Sequence, residues 1–263
     1  MTFSLCGCSW RSFVDLFNNF YYNILMNEEF ARSEAFFGRD AMQKLYNAKI
    51  ALFGVGGVGG WCAEALARCG VGSVDLFDGD VVSVTNINRQ AVALRSTIGR
   101  SKTEVMAARM RDINPAAEVR AFDIFVDESN IGGIDFSVYG VVLDAIDTVT
   151  SKVLIIERAR AAGVPVISCM GAGNKLDISA FKAADISKTS VCPLARAVRT
   201  ALRKRGIYGG VTAIYSAEQP KNVLVEDDSS RHIPASNVFA PAAAGLALAR
   251  EAVLKIIDAG EKS

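Results

Sequence analysis

The stretch Ile50-Ala-Leu-Phe-Gly54-Val-Gly56-Gly57-Val-Gly59 decides the fold of this chain. Four apolar residues, Ile50–Phe53, read as a strand buried on both faces, and they run straight into a glycine turn. A helical pattern follows over 58–69, then a second apolar strand, Val74–Phe77, which closes on Asp78-Gly-Asp80. Strand, glycine turn, helix, strand and acid make up a nucleotide-binding βαβ unit, in which backbone N–H groups at a helix N-terminus meet phosphate. Gly54, Gly56 and Gly59 permit the tight turn and the close approach, and Gly57 opens more room than a dinucleotide needs. Taken alone, the turn is equally a packing device between strand and helix. Asp78 stands where a carboxylate accepts ribose hydroxyls, in NAD as in ATP. Asp80 either shares that task or caps the next turn.

The alternation continues outward. Val119–Phe122, Val141–Leu143 and Val166–Ile167 are further short apolar strands, with helical patterns near 101–112 and 149–162. This predicts an α/β fold with a doubly wound, Rossmann-like, mostly parallel sheet. Ser101-Lys-Thr-Glu104 is a capping box that puts Lys102 in the first turn of its helix. Asn114-Pro115 and Gly163-Val-Pro165 stop helices, and Pro193 and Gly206 bracket another. Residues 207–237 read as a long connection with one strand candidate, Val211–Tyr215, and a mobile loop over 216–237. Val238–Ile257 has the length of a membrane span, but Arg250, Glu251 and Lys255 interrupt it. It reads as an amphipathic helix docked on the core, with a peripheral membrane contact left open. Residues 28–263 form one domain. Residues 1–27, rich in Phe, Tyr, Asn and Ser, make a poor signal peptide. They are expected to be a disordered extension, or a non-native segment ahead of Met26.

With a net charge of +1, no global field announces a nucleic-acid binder, so any such contact is a local patch. The six cysteines form no CxxC pair, which argues against zinc, and their scatter through apolar segments fits reduced thiols in a cytoplasmic protein.

Asn86, Asn88, Arg89 and Gln90 crowd side-chain donors into one loop, and Arg89 can grip phosphate oxygens through its planar fork. A hydride-transferring enzyme has no evident need of them; a solvated polar loop is the alternative. Lys102 adds positive charge where the helix dipole is already positive, which an anion would relieve. Asp147, at the carboxyl end of a strand, faces the ligand crevice and is either a Mg²⁺ ligand or a helix N-cap. Arg196, Arg199 and Arg203 line one helix face, as a tract that binds tRNA phosphates or as a solvated surface.

Together, Gly54 to Gly59, Asp78-Gly-Asp80, Asn86-Ile-Asn88-Arg89-Gln90, Lys102 and Asp147 resemble the E1-like superfamily of adenylating enzymes. Arg32, in Arg32-Ser-Glu-Ala-Phe-Phe-Gly38, resembles the arginine that reaches the ATP of a partner subunit there. Thr85–Gln90, Val141–Asp147, Pro193-Leu-Ala-Arg196 and Tyr215-Ser-Ala-Glu218-Gln-Pro220 resemble, more narrowly, the members that dehydrate threonylcarbamoyladenosine in tRNA. Cys192 stands where that group more often carries an acid. The resemblance implies an E1-like adenylation domain using ATP and Mg²⁺, with Asp147 on the metal and Arg32, Arg89 and Lys102 as catalytic cations. It implies ATP-dependent cyclisation of N6-threonylcarbamoyladenosine at position 37 of tRNA through an acyl adenylate, by a homodimer that does not act on DNA. A monovalent cation and a sulfur-transfer partner protein stay open. The alternative is an activator that adenylates the C-terminus of a ubiquitin-like sulfur carrier. The missing CxxC pairs and the cysteine-free 216–237 segment count against it.

Overall fold

The computed structural model describes residues 28–226 and 232–259. Residues 1–27, and the expectation attached to them, lie outside the described residues. Seven strands form one sheet: β1 (Lys49–Phe53), β2 (Ser73–Phe77), β3 (Glu118–Phe122), β4 (Val141–Asp144), β5 (Val166–Cys169), β6 (Phe181–Asp185) and β7 (Thr212–Ser216). Their spatial order is β3-β2-β1-β4-β5-β7-β6, parallel throughout except for the antiparallel pair β6–β7. The chain builds outward from β1 in both directions, so the order reverses between β1 and β4. In open α/β sheets the ligand crevice lies at the carboxyl ends of the strands flanking that reversal.

Alternate residues of β1 serve opposite faces. Ile50 and Leu52 pack with α3 (Gly59–Arg68), α4 (Lys102–Ile113) and α7 (Phe239–Ile257); Ala51 and Phe53 pack with α5 (Val149–Ala161) and α6 (Pro193–Lys204). A strand covered on both sides has no polar face to spare, which explains its unbroken apolar sequence. At the carboxyl edge Phe53, Phe77 and Phe122 stand in register on β1, β2 and β3. Their rings stack at 4.5 and 4.7 Å between centroids. This aromatic row is a rigid floor under Gly54 and Asp78.

Two short helices, α1 (Ala31–Phe37) and α2 (Arg39–Tyr46), precede the sheet. The apolar side of α7 is committed to the core through Ala244, Leu248, Ala252, Val253 and Ile256. Among the described residues no helix is long and apolar enough to cross a membrane. The 216–237 segment is not loop throughout. It contains the antiparallel pair β8 (Leu224–Glu226) and β9 (His232–Pro234). The antiparallel edge strand β6 was also absent from the sequence reading.

Candidate active site

The glycine turn leaves β1 with Gly54 at φ +89°, where a Cβ would stand 2.9 Å from the Ala145 backbone. Gly54 N–H donates to Phe77 O at 2.7 Å, and Ala145 N–H donates to Phe53 O at 2.8 Å. The turn is thereby wedged between the ends of β2 and β4. Gly59 opens α3 so close to Gly54 that a Cβ would lie 1.7 Å from its carbonyl oxygen. Gly56 is different: the nearest atom to its Cβ position is Gln90 Nε2, at 3.8 Å. Gly54 and Gly59 are steric necessities of the fold, whereas Gly56 leaves open space beside the N-terminus of α3.

Asp78 caps this arrangement. Its carboxylate accepts from Val55 N–H at 2.7 Å and from Asp80 N–H at 2.9 Å. Burial raises its pKa above the ordinary carboxylate range, while Lys102 and the two backbone donors pull it down. Lys102 Nζ donates to Asp80 Oδ2 at 2.6 Å, with the lysine side chain 6% exposed and the aspartate 51%. The N-cap half of the expected capping box forms: Ser101 Oγ accepts from Glu104 N–H, and α4 starts at Lys102. Asp80 therefore serves as the counter-ion of Lys102 in this state.

The polar loop is organised, not merely solvated. Asn86 is buried and accepts from Ser83 N–H at 3.1 Å; Asn88 Nδ2 donates to Ser236 O at 3.1 Å. Arg89 donates to Thr85 O and Asn88 Oδ1, both at 2.9 Å, and its carbonyl accepts from Trp61 on α3 at 3.1 Å. Burial lowers the pKa of its guanidinium. Gln90 is buried over the turn, with Oε1 lacking a hydrogen-bond partner among the described residues.

Across the crevice, Asp147 is exposed beyond β4. The N-cap of α5 is Thr148, so the capping role considered for Asp147 falls away. No hydrogen bond or ion pair engages its carboxylate among the described residues. Beneath it lies a group the sequence reading missed. Asp144 accepts from Lys152 Nζ at 2.8 Å, from Ser168 Oγ at 2.5 Å and from Ile146 N–H at 3.1 Å. Asp144, Lys152 and Ser168 are fully buried. They fix the β4–α5 turn that presents Asp147. A lysine set beside the apolar run Val153–Ile156 was the available signal.

The structure brings Gly54–Gly59, Asp78, Asp80, Arg89, Gln90, Lys102 and Asp147 to one edge of the sheet. Arg32 stands apart, exposed on α1. Arg196 and Arg203 are exposed on α6, but Arg199 is tied to Thr189 O and Oγ1 at 3.0 and 2.5 Å. Among the described residues the three-arginine tract is thus two guanidiniums without a hydrogen-bond partner and one local brace.

Residues 30–262 match the model of the ThiF family. The chain belongs to the ThiF family. Among relatives, the Bacillus subtilis tRNA threonylcarbamoyladenosine dehydratase is 41% identical over 247 residues, 88% of this chain and 96% of that protein. The crystal structure of the Escherichia coli tRNA N6-threonylcarbamoyladenosine dehydratase in complex with AMP matches with TM-score 0.82 and 34% identity. Its complex with ATP matches with TM-score 0.80 and 33% identity. Each match covers 90% of this chain and 97% of the other. The fold expected from the glycine turn, and the E1-like adenylating character expected from the glycine turn, acids, polar loop and lysine together, are what these comparisons find.

Proposed function

We propose that this ThiF-family protein catalyses the ATP-dependent dehydration of N6-threonylcarbamoyladenosine in tRNA, at position 37, to its cyclic form. The observation that carries the reading is the joining, at one switch point, of an anion-ready glycine turn with Arg89 and Lys102, in a chain 41% identical over 88% of its length to a dehydratase of that name.

A carboxylate is a poor electrophile. One of its oxygens attacks the α-phosphorus of ATP, the bond to the bridging oxygen breaks, and pyrophosphate leaves. An N–H or O–H group within the same modified side chain attacks the acyl carbon of the resulting adenylate and gives up its proton, the ring closes as the bond to the AMP oxygen breaks, and AMP departs. The net loss from the nucleoside is one water. The enzyme's contribution is positioning and charge neutralisation. Asp78 takes the ribose, the α3 N-terminus and Gly56 meet the phosphates, and Arg89 and Lys102 offset the charge of the departing pyrophosphate.

Mg²⁺ belongs to this proposal. Among the described residues no three His, Cys, Asp or Glu side chains stand together as a metal cage. Asp147, with its carboxylate unengaged, fits an ion completed by phosphate oxygens and water. Bound there, the metal would neutralise phosphate charge. The homodimer rests on α1, which buries none of its residues and exposes Phe36 at 82%. Phe37 anchors this helix on the core while Phe36 faces outward, and a second copy would cover Phe36 and receive Arg32. Arg196 and Arg203 are offered to tRNA phosphates. No described residue points to a monovalent cation or to a sulfur-transfer partner. Activation of a sulfur carrier has less support. Where it proceeds through a thioester it needs a reactive thiolate, and burial raises the thiols of Cys62 and Cys169.

The test is direct. Incubation with ATP and tRNA carrying the modification yields AMP, pyrophosphate and, by mass spectrometry, a nucleoside lighter by one water. Lys102→Ala abolishes all three. Full activity in that variant removes the lysine from the mechanism.

A further inference from the structure

The loop that leaves β5, Met170–Lys175, departs from ordinary protein chemistry in ways the nucleotide side of the crevice does not use. Lys175 is 3% exposed, yet its ammonium makes one hydrogen bond, to Gly171 O at 2.8 Å. Among the described residues no carboxylate pairs with it. An ammonium carries three donors, and buried charges are ordinarily paired. Its neighbour Asn174 holds φ +59°, and the buried Asn174 Oδ1 lacks a hydrogen-bond partner among the described residues. Backbone strain and unsatisfied polar atoms persist where the surroundings enforce them, and they cluster at functional sites.

The surroundings do enforce them. Asn174 N–H donates to Ala235 O, and Lys221 N–H donates to Asn174 O, both at 2.8 Å. Asn237 Nδ2 donates to Lys175 O at 2.7 Å. The same 235–241 strap reaches the nucleotide side, where Ser236 O accepts from Asn88 and Pro241 faces Gly57 at 3.3 Å from its Cβ position. One strap therefore sets the Lys175 loop and the glycine turn relative to each other.

Position and charge agree. β5 neighbours β4, so the loop rises from the same carboxyl edge as Asp147, across the switch point from Asp78 and Lys102. Cys169, at the end of β5, lies in the fields of Lys152, Asp144 and Lys175. The Asp144 carboxylate is already taken by Lys152 and Ser168. The Glu218 carboxylate is likewise occupied, by Leu176 N–H and Asp177 N–H, and no ion pair joins it to Lys175 among the described residues.

We propose that Lys175 binds the substrate carboxylate that is to be adenylated, holding it on the β4–β5 side while the triphosphate occupies the turn beyond β1. This rests on the dehydratase reading above. Displacement at the α-phosphorus needs the attacking and leaving oxygens on opposite sides. Arg89 and Lys102 serve the leaving side, and Lys175 is the buried cation on the β4–β5 side, where the carboxylate attacks. Its four-carbon stem and rotatable donors let the ammonium turn to an arriving anion.

The experiment compares wild type with Lys175→Met, which keeps the stem and removes the charge. Lys175→Gln stands in if the methionine variant does not fold. Thermal stability, ATP affinity, kcat/KM for the modified tRNA and the binding preference for modified over unmodified tRNA are measured. The expected result is an unchanged or raised Tm, ATP affinity within twofold of wild type and kcat/KM down at least tenfold. The preference for modified tRNA should shrink, and Lys175→Arg should recover part of the loss. Wild-type kcat/KM overturns the proposal. So does a loss confined to ATP affinity, which would assign the cation to phosphate, or a lowered Tm with normal kcat/KM per folded molecule, which would make it structural. If wild type itself produces no dehydrated nucleoside, the dehydratase reading fails first and the proposal falls with it.

Discussion

Gly59→Ala and Gly56→Ala together separate what the glycine turn does for the fold from what it does for ATP. At Gly59 the new Cβ would sit 1.7 Å from Gly54 O and 2.8 Å from its carbonyl carbon. A carbon and an oxygen settle at about 3.3 Å, so the start of α3 and the end of β1 must part by roughly 1.6 Å. The helix has little room to retreat. A Cβ at Gly245 on α7 would already lie 2.4 Å from Val58 O. Overpacking of this kind costs about 1–3 kcal/mol and occasionally more, and the rigid backing puts Gly59→Ala at about 3 kcal/mol. For a domain of this size that is a fall in Tm of roughly 6–12 °C by calorimetry. ATP affinity should fall with it, because the N–H groups of the first turn are displaced. Gly56→Ala meets only Gln90 Nε2 at 3.8 Å, so its Tm should stay within about 2 °C of wild type. Its ATP dissociation constant by isothermal titration should nonetheless rise at least tenfold, since the methyl group occupies the approach of the phosphates. Wild-type ATP affinity in Gly56→Ala would refute the placement of phosphate at this turn. Wild-type Tm in Gly59→Ala would refute the packing argument.

Three other perturbations read out separate layers of the molecule. Phe77→Ala opens a hole in the aromatic row at a residue 3% exposed, and should lower stability by about 3–5 kcal/mol in denaturant titration. Glu64 on α3 bridges Arg109 and Arg68, and the Arg109 hydrogen bond, with help from Arg68, holds its carboxyl below the ordinary value of 4.5. A depressed carboxyl contributes stability above its unfolded pKa and loses it as pH falls through the folded one. The Tm gap between wild type and Glu64→Gln should therefore be full at pH 7, start to shrink as pH falls past the ordinary value and be lost on falling through the lower folded-state one; a gap that does not shrink on acidification contradicts the ion-pair account. Burial pushes the Cys169 thiol up to about 12 and raises that of Cys62. In the native protein at pH 8, peptide mapping after alkylation should find both thiols unmodified, and prompt labelling of either would reopen the thioester chemistry of a carrier activator.

The sequence made the central parallel strands legible because β1, β4 and β5 are buried on both faces, and it placed Lys102 because a helix cap is a local signal four residues long. β6 escaped notice for the opposite reason. Phe181-Lys-Ala-Ala-Asp185 is an edge strand, half-exposed, and reads as surface until β7 supplies its partner. The site divided along the same line. Gly54, Asp78 and Arg89 announce themselves within their own segments. The Asp144–Lys152–Ser168 group joins β4, α5 and β5, and Lys175 acquires meaning only through burial beneath the 235–241 strap. The hydrogen bonds of Arg199 were not legible because helical spacing gives a face but not a neighbour, and Thr189 lies outside that helix. Short-range chemistry was visible; chemistry that depends on which segments lie side by side was not.

The pairing of Lys102 with Asp80 makes one more claim about how ATP enters. A lysine 6% exposed at a helix N-terminus is in the wrong place for a cation unless something negative meets it, and Asp80 meets it at 2.6 Å from a side chain half in water. If the triphosphate takes over that role, Asp80 and ATP are alternative counter-ions for one ammonium. Asp80→Asn should then lower the Tm of the free protein, because Lys102 loses its carboxylate while still buried. Saturating ATP should restore more in the variant than it adds to wild type, since a ligand stabilises by the free energy of the contacts only the folded state can offer it. The measurement is the ATP-induced Tm increment in both proteins at the same ATP concentration, where loss of the competing carboxylate lowers the dissociation constant of the variant and enlarges its increment. An increment no larger in Asp80→Asn would mean that the phosphates never reach Lys102, and that this lysine serves only to pin the Asp78–Asp80 turn to α4.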